Sequence, residues 1–327
     1  MLIIEKAILK TVAYADVFDY PLNTDEIHWY LWGTGATRQQ VESVLQQSNT
    51  LACLLSYVET GDTQRGCGYY TLPGREHTIE LRQDRERHAS LLWLKARRYA
   101  RLMSQMPFVR MLALTGSLSM GNVEPGADID YLVVTAPGRL WLCRAAIIAL
   151  TMWVGRRGDV ICPNYFLSEH ALTLTDRNLY TAHEFAQMVP LHGMDIYLRM
   201  QQNNAWVQSY LPNAVARPPL TGRIVANQPF EHAIPQADGA FKRAAEALLR
   251  TAPGALAERW EMRRKLRKFD DRQAQNPESN FGPDCCKGHF NYHRTRTMEL
   301  LSQRLRALEL QSQERQQAQA QPVYSHA

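Results

Sequence analysis

The sequence predicts an α+β protein. A mixed sheet with helices forms its middle, a helix-and-hairpin region precedes it and a helical region follows. Three observations carry this expectation. Residues 1–78 show three stretches of helical periodicity, then two short β-prone runs around Gly61-Asp62. Residues 107–200 alternate apolar strand-like runs with helical ones, which calls for a sheet covered on at least one face. From 201 onward the periodicity is helical alone. With 327 residues, 45% hydrophobic and 21% charged, the chain suits two or three domains with a sizeable core, and general disorder is excluded.

In chain order, residues 3–18 form a first helix, with Ile4, Ala7, Ile8, Val12 and Ala15 on one face. Asp19-Tyr20-Pro21-Leu22 breaks it, and Asn23 or Thr24 caps a second helix running to Tyr30. Gly33 and Gly35 end that helix, and Thr37 caps a third, with Val41, Val44 and Leu45 inward. Runs 51–59 and 68–72 then read as two strands of a hairpin. A long charged helix over 75–106 links this region, 1–78, to the next; the linking part is 79–106. The core at 107–200 holds strands at 109–114, 129–135 and 160–167 and helices at 139–154 and 179–188, the last capped by Thr175 or Asp176. Helices at 241–251, 255–272 and 291–309, with a loop at 273–288, make up a helical region over 201–315; a Gln-rich disordered tail over 316–327 follows.

A formal charge of +5 fits an anionic partner such as a nucleotide or nucleic acid, but says little about fold. The six cysteines, Cys53, Cys67, Cys143, Cys162, Cys285 and Cys286, form no CxxC pair and match no zinc spacing, so reduced thiols are expected. Cys285-Cys286 with His289 and His293 reads as a loop before a helix. No signal pattern opens the chain, and the most apolar stretch, 140–154, is interrupted by Arg144 and short for a bilayer. The expectation is a cytoplasmic protein with no membrane partner.

The chemistry concentrates in 112–135. An apolar strand ends at Thr115; Gly116 lacks a side chain, so a phosphate can approach the backbone there. Ser117 offers a hydroxyl and an N–H at a helix start, where anions are favoured. Gly121 lets the turn pack tightly or a ligand pass. Asp128 and Asp130 follow, one residue apart. On a strand such residues share a face, ~6.6 Å apart along the chain. Two carboxylates beside a phosphate cradle are costly without a cation, and Mg²⁺ binds carboxylate oxygens while keeping sites open for phosphates.

This segment resembles the signature of the DNA polymerase β-like nucleotidyltransferase superfamily: an apolar strand, Gly116-Ser117, a spacer with Gly121, then Asp128-Ile129-Asp130. The resemblance covers about residues 85–200 and implies transfer of a nucleotidyl group from an NTP to a hydroxyl or phosphate acceptor. It makes Asp128 and Asp130 the catalytic ligands of Mg²⁺ or Mn²⁺, and sets Gly116 and Ser117, with Gly121, against the triphosphate. The family usually carries a third acid on a later strand that helps activate the acceptor. Here that strand has Asp159 at its start and Asn164 in its middle, so either Asp159 serves or the third carboxylate is missing. Pro163 marks an edge strand or a bulge there.

Lys95, Arg97, Arg98, Arg101, Arg156 and Arg157 are the cations nearest in sequence. The 1–78 region resembles a winged helix-turn-helix, whose reading helix would be 37–47; its charges, Arg38 and Glu42, are sparse for phosphate binding. Arg259, Arg263, Arg264, Lys265, Arg267 and Lys268 give a basic helix face, a solvated surface or a cradle for RNA or another anionic acceptor. The expected activity is Mg²⁺-dependent nucleotidyl transfer to an acceptor, whether small molecule, protein or RNA, that the sequence does not name. The alternative is a nucleotide-sensing, catalytically degenerate winged-helix regulator that binds nucleic acid.

Overall fold

The computed structural model describes residues 1–60, 68–156, 160–215, 234, 239–276, 278–288 and 292–320, with side chains of 271–275 and 311–320 excepted. The chain divides into two compact units. The first holds Met1–Arg82, Tyr210–Val215 and the chain from Arg294; the second holds Gln83–Ser209 and the described residues from 234 to His293. The stretch 201–315, read from sequence as one helical region, therefore contributes to both units.

The first unit opens with α1 (Ile3–Asp16), which buries Ala7, Ile8, Val12 and Ala15. α2 (Thr24–Trp29) is capped by Asn23, whose side chain accepts from the Glu26 N–H while Glu26 reaches back to the Asn23 N–H. α3 (Arg38–Gln47) starts from the same reciprocal arrangement between Thr37 and Gln40. The sequence reading then expects a strand from 51. Instead the Ser48 hydroxyl accepts from the Leu51 N–H at 3.1 Å and starts α4 (Asn49–Leu54). Strand β1 (Ser56–Val58) begins only after it and pairs antiparallel with β2 (Tyr69–Thr71), Tyr57 opposite Tyr70. The Gly61-Asp62 turn lies outside the described residues.

Helix α5 (Thr78–Ser104) begins in the first unit and continues into the second. There follow β3 (Val109–Leu114), the short α6 (Gly116–Ser119), β4 (Ile129–Thr135), α7 (Leu140–Gly155), β5 (Ile161–Ser168), α8 (Leu179–Gln187), β6 (Val189–His192) and α9 (Met194–Asn203). α8 is capped by Asn178, accepting from the Thr181 N–H at 3.0 Å, rather than by Thr175 or Asp176. Later in the chain come α10 (Ala240–Leu249), α11 (Ala252–Gln275), β7 (Asn280–Phe281) and β8 (Cys285–Lys287). The six strands form one mixed sheet in the order β6-β3-β4-β5-β8-β7, with β4 and β5 parallel and the other pairs antiparallel.

Strands β6, β7 and β8 are absent from the sequence reading, which places a loop at 273–288. They are two to four residues long, too short to show a period. β8 gains its place by pairing with β5, Cys286 opposite Phe166. β5 lies inside the sheet rather than at its edge, and the Pro163 irregularity is a bulge: Asp130 pairs with Cys162 and Leu132 with Tyr165, so Pro163 and Asn164 together oppose Tyr131.

The core of this unit gathers Leu112, Leu114, Ile129, Tyr131 and Val133 from the sheet with Trp141, Ile147, Phe166 and Phe269. The Tyr131 hydroxyl donates to the Ala96 carbonyl of α5 at 2.6 Å. The C-terminal helices join through buried charges. Lys242 of α10 donates to the Ser104 and Val109 carbonyls at 3.1 and 3.0 Å. Glu246 accepts from the Phe108 N–H and pairs with Arg110 at 2.9 Å. Glu258 of α11 accepts from the N–H groups of Trp141 and Leu142, both at 2.8 Å, and so caps the start of α7.

The last helix, α12 (His293–Ala320), returns to the first unit, where Arg304 donates to Asp16 at 2.7 Å. It runs beyond 316, where the sequence reading places a disordered tail; the Gln and Ala residues at 316–320 favour helix. No helix among the described residues is long and apolar enough to cross a membrane.

Candidate metal and phosphate site

β3 delivers Thr115 to the end of the sheet, where its N–H bonds the Asp130 carbonyl of β4 at 3.1 Å. The chain then turns through Gly116, at φ +65°, into α6. The space beside Gly116 is taken: a Cβ there would collide with Asp130 Oδ2. The missing side chain thus makes room for a carboxylate, a role the sequence reading gave to a phosphate. Gly121 also holds a positive φ, 69°, in the turn that ends α6. Ser117 is exposed at the mouth of this turn.

Asp128 sits just before β4 and Asp130 within it. Alternation sends Ile129 and Tyr131 to the core and Asp130 toward the Gly116 turn. Asp128, Asp130 and Cys162 each offer a ligand atom, and these atoms lie within 4.8 Å of one another. Cys162 arrives through the parallel pairing of β5 with β4, a register that no local pattern announces. The bulge adds Asn164, whose Nδ2 donates to Asp130 Oδ1 at 2.7 Å. Asp159, the sequence candidate for a third carboxylate, lies outside the described residues, as does Arg157.

Electrostatics single out Asp130. Burial, then Asp128 and Glu184, push its carboxyl up to about 8. Burial raises Glu184 of α8 to about 7, with Lys287 pulling the other way. The Cys162 thiol, desolvated and hydrogen-bonded to both aspartates, rises to about 12 and stays protonated. Lys287 itself is paired with Asp176 at 2.6 Å. Three participants went unread in the sequence: Cys162, Glu184 and Arg85. Arg85 of α5 donates to Asn122 at 3.1 Å and pairs with Glu124 at 2.7 Å, tying down the loop between α6 and Asp128. Lys95, Arg98, Arg101 and Arg156 are exposed. His183 is buried, and desolvation lowers its ring to about 3, so it is neutral.

Two consequences can be measured. Gly116→Ala must place a Cβ against Asp130 at a φ that L-residues rarely adopt, so a loss of about 2–4 kcal/mol is expected. Chemical unfolding checks this; wild-type stability in the variant would contradict the close approach. The second concerns pH. A carboxyl whose folded value exceeds its ordinary 3.8 contributes stability below about pH 4, and that contribution is lost as pH rises through about 8. Glu184 acts in the same direction up to about 7. Metal-free protein should therefore lose stability between about pH 6 and pH 8, and Asp130→Asn should lose less, by on the order of 2–4 kcal/mol. Thermal unfolding with a chelator present measures it; equal pH slopes for the two proteins would count against a desolvated Asp130.

Comparison with family models, curated proteins and solved structures finds no match in any of the three.

Proposed function

We propose that the chain is a Mg²⁺-dependent nucleotidyltransferase that moves a nucleotidyl group from an NTP to an acceptor. The observation that carries this reading is the convergence of Asp128 and Asp130 against the Gly116 turn, at the end of two neighbouring strands. The donor chemistry fits the ion. Two carboxylates are hard oxygen ligands that leave coordination sites for phosphate oxygens and water, and Mn²⁺ would be accepted by the same set. Cys162 offers soft sulfur, a poor match for a hard cation such as Mg²⁺, and would be a neighbour of the ion rather than a ligand.

When bound, Mg²⁺ supplies the positive charge that balances the polyphosphate and the reacting oxygens. The chain's own groups do the rest. Asp128 and Asp130 fix where that charge sits. Ser117 is exposed, and its hydroxyl with the first N–H groups of α6 would be the donors that hold phosphate oxygens. Asn164 anchors Asp130 Oδ1 and so orients the other oxygen toward Gly116. Glu184, whose charge bears on Asp130, is raised to about 7 by burial.

One observation favours a second reading, a nucleotide-sensing regulator with a degenerate site. An amide, which cannot act as a base, hydrogen-bonds Asp130 from the strand where the family carries its third acid. The winged-helix-like region adds little to nucleic-acid binding in that reading. Arg38, the one cation of α3, pairs with Asp25 and with Glu42. A protein or intramolecular contact suits that helix better.

Incubation with labelled NTPs, Mg²⁺ and mixed acceptors separates the two. Nucleotide incorporated or pyrophosphate released supports the transferase. Saturable, Mg²⁺-dependent NTP binding without product supports the sensor, and no binding at all removes both. Asn164→Asp sharpens the choice: a gain in turnover of about tenfold or more is expected if the missing carboxylate limits the chemistry.

A further inference from the structure

Helix α11 sorts its charges in an unusual way. Its acids before residue 270 are turned inward: Glu258 caps α7, and Glu261, 5% exposed, pairs with Arg264 and Lys265. Its outward face carries Arg259, Arg263, Arg264, Arg267 and Lys268, all exposed. At 100° per residue these positions fill one contiguous half of the helix, with Trp260 in their midst. Trp260 is 65% exposed, and the Arg264 guanidinium lies 5.4 Å from its ring centre.

A merely solvated helix face intersperses the two signs and gains from i,i+4 pairs. It has no reason to leave a large indole in water among cations. From Leu256 to Lys268 the outward face carries no acid; Asp270 is the first.

We propose that this face binds single-stranded nucleic acid. The cations match a run of phosphates. From 256 to 268 the helix is ~18 Å long, which spans about five phosphates of a stacked strand. Trp260 gives a base a platform to stack on, sequence-tolerant because every base has a π face. An acidic protein would satisfy the charges but would leave the indole without a reason to be exposed among them. A duplex, with its bases already stacked, would not use it either. The proposal is independent of the Asp128/Asp130 chemistry, since it needs neither metal nor NTP.

The test uses the full chain in a chelating buffer without NTP. Fluorescently labelled oligo(U) and oligo(dT) of about 12 nucleotides are titrated by anisotropy over a salt series. Binding of either supports the proposal, with a slope of log K against log salt of about −3.5, at about −0.7 per phosphate neutralised. Arg259→Gln/Arg263→Gln/Arg267→Gln should weaken binding at least tenfold and reduce the slope by about 2. Trp260→Ala should weaken it about tenfold with the slope unchanged. Arg296→Gln/Arg306→Gln, exposed on α12, should leave binding as in the wild type. Should the triple variant fail to fold, Arg263→Glu alone carries the same prediction at lower amplitude. The proposal is overturned if neither oligonucleotide binds at about 50 mM salt. It is overturned too if the α11 variants bind as tightly as the wild type. Displacement of the oligonucleotides by polyglutamate or by duplex DNA at matched charge would assign the face to an acidic protein or to a duplex instead.

Discussion

Asp128→Asn and Asp130→Asn are each expected to lower Mg²⁺-dependent turnover of NTP by about 10³-fold or more. The substitution removes one negative charge and keeps the shape. Gly116 has no Cβ because Asp130 Oδ2 takes that space, and an Asn amide occupies nearly the same volume. On the proposed function, what is lost is the field that would hold a divalent cation beside a polyphosphate, an effect of several kcal/mol, and each 1.36 kcal/mol is a factor of ten in rate. The two positions should differ in stability. Both carboxylates are half-buried, but desolvation and repulsion from Asp128 and Glu184 raise Asp130, so its replacement relieves them and the metal-free variant should melt at or above the wild-type temperature. A variant that loses activity while gaining stability separates chemistry from unfolding. Full turnover in either variant would show that these carboxylates hold no catalytic ion.

The parts of this site legible in sequence are those whose chemistry and spacing are local. Gly116, Ser117, Gly121, Asp128 and Asp130 fall within fifteen residues, and the strands that flank them are apolar runs of six and seven residues. Cys162, Asn164 and Glu184 meet Asp130 by long-range routes. Two depend on the parallel register of β4 with β5 and on a bulge, and one on a helix whose sequence reads only as amphipathic. Pro163 signals the irregularity but not which side chain it re-aims. The fold shows the same division. Long periodic helices and the strands of six to eight residues can be read; β7 and β8, of two and three residues, cannot, because pairing with a distant strand makes them. Nor does periodicity say which unit a helix joins. α10 and α11 belong with the sheet's unit because Lys242 and Glu246 satisfy backbone groups at the entry to β3 and Glu258 those at the start of α7, and a charged residue in an amphipathic pattern is ordinarily assigned to solvent.

Arg82→Ala is expected to destabilise the first unit by about 3–5 kcal/mol, a large stability effect for an interaction far in sequence from the chemistry. Arg82 is 1% exposed by side chain and Glu26 0%, and the two form a bidentate pair at 2.7 and 2.8 Å. The guanidinium lies over Tyr20 at 4.0 Å and Tyr69 at 4.6 Å. The Glu26 carboxylate also accepts from the Tyr20 hydroxyl at 3.1 Å and from the Asn23 N–H at 2.9 Å, so the helix cap of α2 and the buried ion pair share one group. Removing the arginine strands a charge in a site closed to water, and that penalty, rather than the net worth of the pair, sets the loss. Arg82→Lys should recover only part of it, because a point charge cannot replace a planar fork between two rings. The combined change Glu26→Gln/Arg82→Met leaves no buried charge and should cost less than Arg82→Ala alone. Unfolding of the wild type, Glu26→Gln, Arg82→Met and the double variant at one pH decides the matter. Additive losses across the cycle would mean that the two side chains act independently, and that the hydrogen-bonded cage around Glu26 can hold its charge without help.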